Sequence, residues 1–358
     1  MSHRLTWKAT LAGTIAAGAV ISVFQILHNN YPVYKGDWPI LWYGASTPGS
    51  ADYPSPYPPT ALFLFRPFGF LPVWPAFVAW SLVGLMVFVT AARRLGASAG
   101  AIALALIMPC VLTCLVAGQT SLFVGSALMA GVAVKDRRWS GILFGLAMVV
   151  KPQSAVAVPI ALLAIGDWRR LFVVATTGAT AVALSVVIWG VSAWTIWIHA
   201  MPAFQAYLIE HHVDVMDVGI NGLRLRLHWP PWVHLVGVVL GMITVATTWR
   251  ASPDPMARYA ALACGAALIS PYTLVYDLAG LSVVATAALL NRKRTPADWL
   301  VAAPIIAGFW PNPGVIGLAC LQAWRYRQGV LTGLETIKLR RRSGTSDSPE
   351  PPRQSRAD

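Results

Sequence analysis

Charge is scarce in this sequence, and negative charge is scarcest. Only 11% of its 358 residues are charged, with 14 acidic side chains against 27 basic ones. A soluble domain carries about 25% charged residues, so an ordinary water-facing surface is excluded. Cysteine is rare too. Cys110, Cys114, Cys264 and Cys320 all lie in apolar runs, and none has the spacing of a metal site or a disulfide framework. They read as small buried hydrophobes. His211-His212 are adjacent, so their side chains diverge on any regular element, and Asp214 and Asp217 complete no recognisable ligand set. That segment reads as a solvated loop, and neither a metal nor a cofactor is expected.

What is abundant is apolar. Hydrophobic residues make up 56% of the chain, with 16 Trp and 10 Tyr, as interfacial aromatic belts require. The net charge of +13 does not point to nucleic acid, because the basic residues form no single patch. They fall in clusters between apolar runs: Arg93-Arg94, Lys135/Arg137/Arg138, Arg169-Arg170, Arg292-Lys293-Arg294, and Arg325 to Arg342. This is the positive-inside pattern of a multi-pass membrane protein.

The clusters set the topology. Arg4 and Lys8 hold the N-terminus in the cytoplasm, and Ala9 to Leu27 is long enough for an uncleaved first span. Residues 28–59 then form an external loop. The 60–71 stretch is short and interrupted by Arg66-Pro67, as in a re-entrant or interfacial element. Val73 to Thr90 returns inside, Ala99 to Ala117 leads out and Thr120 to Val134 comes back. Gly141 to Val150 and Ser154 to Ile165 are each too short to span. They read as a hairpin of short helices with Lys151 at its tip. Leu171 to Trp189 leads to a second external loop at 190–232. Val233 to Thr248, Ala257 to Ile269 and Leu274 to Leu290 alternate, and a last hairpin turns at Pro311-Asn312-Pro313. The fold class is therefore an all-α polytopic membrane protein with about ten to twelve spans, several short or broken. Both termini are cytoplasmic, and the tail is polar enough for disorder.

Ionisable groups at membrane depth call for a functional hypothesis, and here the polar residues share the outer side. Asp37, Asp52, Tyr57, Gln119, Lys151, Tyr272, Tyr276 and Asp277 all map there, with the cluster in the second loop. Lys151 either snorkels to the interface or aims an ammonium at an anionic headgroup. Arg224 and Arg226 lie on different faces of a helix but one face of a strand; Arg224, beside Asn221-Gly222, is the choice for a site. Tyr272 and Tyr276 share a face if helical, in a site or in an aromatic belt.

Asp37, Tyr57-Pro58-Pro59, Gly118-Gln119, Lys151-Pro152-Gln153, Asn221 to Leu227, and Ser270-Pro271-Tyr272 with Tyr276-Asp277 follow one another in order. That order, from about Ala9 to Trp324, resembles glycosyltransferase family 87. These are membrane-embedded mannosyltransferases of the C superfamily that use polyprenyl-phosphate mannose, such as the phosphatidylinositol mannoside enzymes of actinobacteria. The resemblance implies a transmembrane glycosyltransferase domain over residues 1–325 and a cytoplasmic tail over 326–358. It implies a plasma-membrane enzyme whose site, built from extracytoplasmic loops, faces outward. Its partners would be a polyprenyl-phosphate sugar donor, a lipid or glycan acceptor and membrane lipids, without nucleic acid. Asp37 matches the acidic residue taken as the family's catalytic base. Lys151 and Arg224 would hold the donor phosphate, and Trp38, Tyr57, Gln119, Asn221, Tyr272 and Tyr276 the substrates. A transporter or flippase of a lipid-linked sugar is the alternative; it would need a polar route between both faces.

The topology predicts that a cysteine placed at Asp52 reacts with an impermeant maleimide from outside intact cells. Labelling only after permeabilisation would invert the whole arrangement.

Overall fold

The computed structural model describes residues 37–46, 56–210, 217–291, 296–307 and 314–327. The expected first span, Asp52, His211, His212, Asp214, the turn at 311–313 and the C-terminal tail lie outside the described residues.

Helix α1 (Asp37–Ser46) is followed by a chain of short turns: a 3₁₀ turn at Pro59–Ala61, α2 (Leu62–Phe65) and another 3₁₀ turn at Phe68–Phe70. Pro58, Pro59, Pro67 and Pro72 explain the fragmentation, since each removes a backbone donor and fixes φ. The span α3 (Val73–Arg94) comes next, then α4 (Ala99–Leu106) and α5 (Pro109–Ala117), which are bent by 55° at their junction. Pro109 opens α5 at a position where its missing N–H costs no helical bond. α6 (Ser121–Ala133) leads into the expected hairpin, α7 (Arg137–Val150) followed by α8 (Pro152–Ala155) and α9 (Ala157–Ala164). Lys151 stands at its tip, in the break before Pro152.

The next helix departs from expectation. α10 (Trp168–Glu210) is two helical stretches broken at Gly190, at φ 80° and ψ 164°: the expected helix ends at this break, and a second stretch continues helical to Glu210. Residues 190–210 are therefore not loop. The sequence 191–209 is apolar enough to resume a helix after the break at Gly190. After α11 (Ile220–Arg226) come α12 (Trp232–Ala251), α13 (Pro255–Ile269), a 3₁₀ turn at Val275–Leu278, α14 (Ala279–Leu290), α15 (Pro296–Ala307) and α16 (314–327).

Every regular element among the described residues is helical. Among the described residues three helices are long and apolar enough to cross a membrane: Val73–Arg94, Trp168–Phe204 and Trp232–Ala251, with the bent α4–α5 pair as a fourth. Ser121–Ala133, Pro152–Ala164, Pro255–Ile269 and Val275–Leu290 are shorter apolar helices. On α3 the exposed Val78, Leu82 and Met86 are as apolar as the buried Ala76, Trp80 and Phe88. A helix facing lipid has no reason to be polar outside.

The alternation of helices separates two ends. One gathers the basic clusters. There Asp167 pairs with Arg137 at 3.5 Å and Arg170 at 3.4 Å, and Arg250 Nε donates to the Ala164 carbonyl at 2.6 Å. The other gathers the starts of α3 and α6, the end of α7, and the 270–278 segment.

Helix–helix approach depends on small residues, because lipid supplies no hydrophobic drive between helices. Gly141 and Gly145, four apart on α7, face α10. A Cβ on Gly141 would stand 2.7 Å from Val173 Cβ, and one on Gly145 2.6 Å from Thr177 Cβ. Gly145→Ala should therefore destabilise the fold by about 1–3 kcal/mol, the usual cost of overpacking. Gly178→Ala, where an added Cβ meets nothing within 4 Å, should not. Melting of the two purified variants checks this; equal melting temperatures would show that α7 and α10 do not need their close approach.

Candidate active site

The site grows from the break at Lys151. Pro152 biases the residue before it away from the helical region, and Lys151 takes φ −144° and ψ 82°. Its N–H still closes the last turn of α7 on the Ala147 carbonyl at 3.0 Å. The side chain leaves the helix end and is buried. Its Nζ lies 2.5 Å from Asp277 Oδ1, and the two side chains are 4% and 5% exposed. Ser121 Oγ donates to the same oxygen at 2.6 Å, and the Leu274 N–H donates to Oδ2 at 3.2 Å. The ammonium also stands 5.0 Å from the centroid of the Tyr276 ring, within cation–π reach. An ammonium has three donors, and Asp277 takes one.

A second cluster adjoins the first through Thr120-Ser121. The Tyr57 hydroxyl donates to Gln119 Oε1 at 2.7 Å and lies 3.0 Å from Thr120 Oγ1. Gly118, just before, ends α5 at φ 68°, where a side chain is strained. The left-handed turn is needed because α1 sits against it: a Cβ on Gly118 would be 2.6 Å from Trp38 Cβ. Trp38 is 2% exposed, donates its indole N–H to the Val73 carbonyl at 3.0 Å and packs on Trp80. Its ring is buried and its donor used, so it seats the start of α1. Asp37 is the first residue of that helix; its side chain lies outside the described residues.

A third cluster closes the far side of the 270–278 segment. α11 is helical, so Arg224 and Arg226 lie on different faces; Arg224 Nε donates to Asn221 Oδ1 at 2.9 Å, and Asn221 Nδ2 donates to the Pro271 carbonyl at 2.6 Å. Tyr272 and Tyr276 do not share a helical face, because residues 272–274 are not helical and the 3₁₀ turn begins only at Val275. The Asp277 bond to the Leu274 N–H starts that turn late. Tyr272 Oη instead accepts from Gln153 Nε2 at 3.1 Å. Its own proton stays available, and burial, then the Asp277 charge, push the phenol up to about 12.

The structure thus brings Lys151, Tyr57, Gln119, Tyr272, Tyr276, Asn221 and Arg224 to one end of the bundle, around residues 118–121 and 270–278. The sequence reading missed Ser121, Thr120 and Gln153 as participants. The signal for the first two was present as Gln119-Thr120-Ser121, three polar residues between two apolar runs.

Asp217 corrects another expectation. It is not solvated but 1% exposed. Oδ1 accepts from the Gly219 N–H at 2.8 Å and the Thr273 N–H at 3.1 Å, while Oδ2 has no hydrogen-bond partner. Val218 N–H donates to the Thr273 carbonyl at 2.8 Å, so this carboxyl staples the chain before α11 to the 270–278 segment. Burial pushes it up to about 7, against the lowering effect of its backbone donors. The folded chain then keeps a proton that the unfolded chain releases between 3.8 and about 7. That contribution to stability is complete at low pH and is lost as pH rises through about 7. Wild-type melting temperature should fall from about pH 5 to about pH 8 relative to Asp217→Asn, which cannot ionise. Parallel pH profiles would show that Asp217 does not titrate there.

Searches of curated proteins and of solved structures gave no match. The family model for glycosyltransferase family 87 matches residues 56–271. That span holds Tyr57, Gln119, Lys151, Asn221 and Arg224, and it covers more than half of the sequence. The chain belongs to glycosyltransferase family 87, and it is a membrane glycosyltransferase.

Proposed function

We propose that the chain transfers a hexose, mannose by its family resemblance, from a polyprenyl-phosphate donor to a lipid or glycan acceptor. The reaction takes place at the extracytoplasmic face of the plasma membrane. The observation that carries this reading is the convergence of a buried ammonium at Lys151 with the Gly118 step that seats α1, whose first residue is Asp37. The ammonium reaches Ser121 through Asp277, and the start of α1 packs on Gly118, so both adjoin residues 118–121.

The steps balance without a cofactor. The acceptor oxygen attacks the anomeric carbon, its proton passes to the Asp37 carboxylate, and the bond from that carbon to the phosphate oxygen breaks. Polyprenyl phosphate leaves, and the single displacement inverts the anomeric configuration. The negative charge growing on the leaving phosphate is stabilised by the two free N–H donors of Lys151 and by the guanidinium N–H groups of Arg224 not used by Asn221. Asp277, itself bonded by the Ser121 hydroxyl, holds the ammonium in place before the substrate arrives, so the chemical step needs no reorganisation there. Tyr57, Gln119, Asn221, Tyr272 and Tyr276 are the substrate-facing polar groups in this reading. Family membership decides against the transporter.

A transfer assay with purified protein and a polyprenyl-phosphate mannose donor tests the assignment. Asp37→Asn should lower turnover by a factor on the order of 10²–10⁴, the usual value of general-base catalysis, and leave donor binding intact. Arg224→Ala should weaken donor binding by about 1.5–3 kcal/mol, the worth of a hydrogen bond to a charged group. Near-normal turnover for Asp37→Asn would move the base elsewhere.

A further inference from the structure

A cavity of about 1190 Å³ lies between α3, α6, α7 and α10, away from the polar cluster. Pockets for drug-sized ligands usually span about 300–1,000 Å³, so this one is large. Its wall is mostly aliphatic and aromatic, including Phe63, Phe123, Ile142 and Leu184. Met86 and Leu146, exposed on the bundle surface, also line it, so it opens toward the surrounding lipid. Thr60 lines the end nearest the candidate site, but its hydroxyl already donates to the Val149 carbonyl at 2.6 Å. The charged lining residues are Arg94 and Arg138, both at the opposite end. Their neighbour Arg137 pairs with Asp167; Arg94 and Arg138 have no ion-pair partner among the described residues.

We propose that this cavity binds one anionic phospholipid, its acyl chains filling the apolar wall and its phosphate held by Arg94 and Arg138. Three observations select that occupant. The free cations lie at the end remote from Lys151, so a phosphate held there is not the donor's. The twelve residue steps from Arg138 to Val150 rise ~18 Å along α7 at ~1.5 Å per residue. That is close to one leaflet, half of a hydrocarbon core ~30 Å thick. Finally, no charged side chain lines the end nearest Lys151, so a phosphate entering from the site end would meet no cation in this cavity. This lipid is neither donor nor acceptor; it completes the packing between α3 and α10 from the leaflet on the basic side.

Native mass spectrometry of the purified full chain tests the proposal, after equilibration with vesicles of phosphatidylglycerol and phosphatidylcholine of equal chain length. The wild type should retain phosphatidylglycerol in preference. Arg94→Gln and Arg138→Gln should each reduce that preference about fivefold, the ~1 kcal/mol attraction of one cation near an anionic membrane surface. Leu146→Trp and Thr180→Trp, both at lipid-exposed lining positions, should lose both lipids, which separates binding in the cavity from general attraction to a basic surface. Equal retention of the two lipids, or preference unchanged in both arginine variants, would overturn the proposal. So would one-for-one displacement of phosphatidylglycerol by polyprenyl phosphate, which would make the cavity a donor site. A disulfide formed in the lipid-equilibrated protein between Ala127→Cys and a cysteine placed within residues 9–27 would overturn it as well, by making the first apolar run the occupant.

Discussion

The buried ion pair between Lys151 and Asp277 is the constraint on which the polar end of this protein rests. Removing an ammonium and a carboxylate from water costs several kcal/mol each, and mutual attraction offsets this only with near-ideal geometry and further hydrogen bonds. Both conditions are met: the contact is short, Ser121 bonds the same oxygen, and the Leu274 N–H bonds the other. The pair joins segments 126 residues apart in sequence, the α7–α8 break and the 3₁₀ turn at Val275–Leu278. Loss of either partner leaves an uncompensated charge inside the bundle, so the break at Lys151 and the late start of the turn at Val275 stand or fall together.

The two ends of the bundle solve different problems. At the basic end, charges are spent on architecture: Asp136 and Asp254 cap α7 and α13, and Asp167 caps α10 while holding two arginines. At the other end, helices stop early and the freed backbone is satisfied by side chains. Asn221 bonds the Pro271 carbonyl, and Asp217 takes two N–H groups. Irregular backbone at membrane depth is tolerated only where protein or a cavity surrounds it, and these bonds provide that surrounding.

Features that depend on local pattern were legible in the sequence. The α3 span, the short hairpin with Lys151 at its tip and the gathering of basic clusters at one end follow from run length and charge placement. The stretch beyond Gly190 misled: the glycine does break the helix, but the apolar residues after it form a second helix instead of a loop. Partnership was not legible. Nothing in the order of residues couples Lys151 to Asp277 or Tyr57 to Gln119, since those pairs exist only once the helices are stacked. Burial misled twice in the same direction: Trp38 and Asp217 both looked exposed, Trp38 because aromatic residues mark interfaces, Asp217 because it follows a polar loop. Tyr272 and Tyr276 failed as a helical pair because Pro271 and the Asp277 carboxylate reshape the backbone between them.

The shortness of α7 has a consequence for the bilayer itself. Its 14 residues rise ~21 Å, against a hydrocarbon core ~30 Å thick. On the flank where Leu146 is exposed, the membrane meets a hydrophobic belt too narrow for it. Such a mismatch is relieved by local thinning, at a fraction of a kcal/mol per ångström. The headgroup region would dip toward the Lys151 end there, and under the proposed function a lipid-borne phosphate would reach the buried ammonium with less displacement from its own leaflet. Hydrophobic mismatch would then set the vertical register between enzyme and substrate, and membrane thickness would become a variable of the reaction.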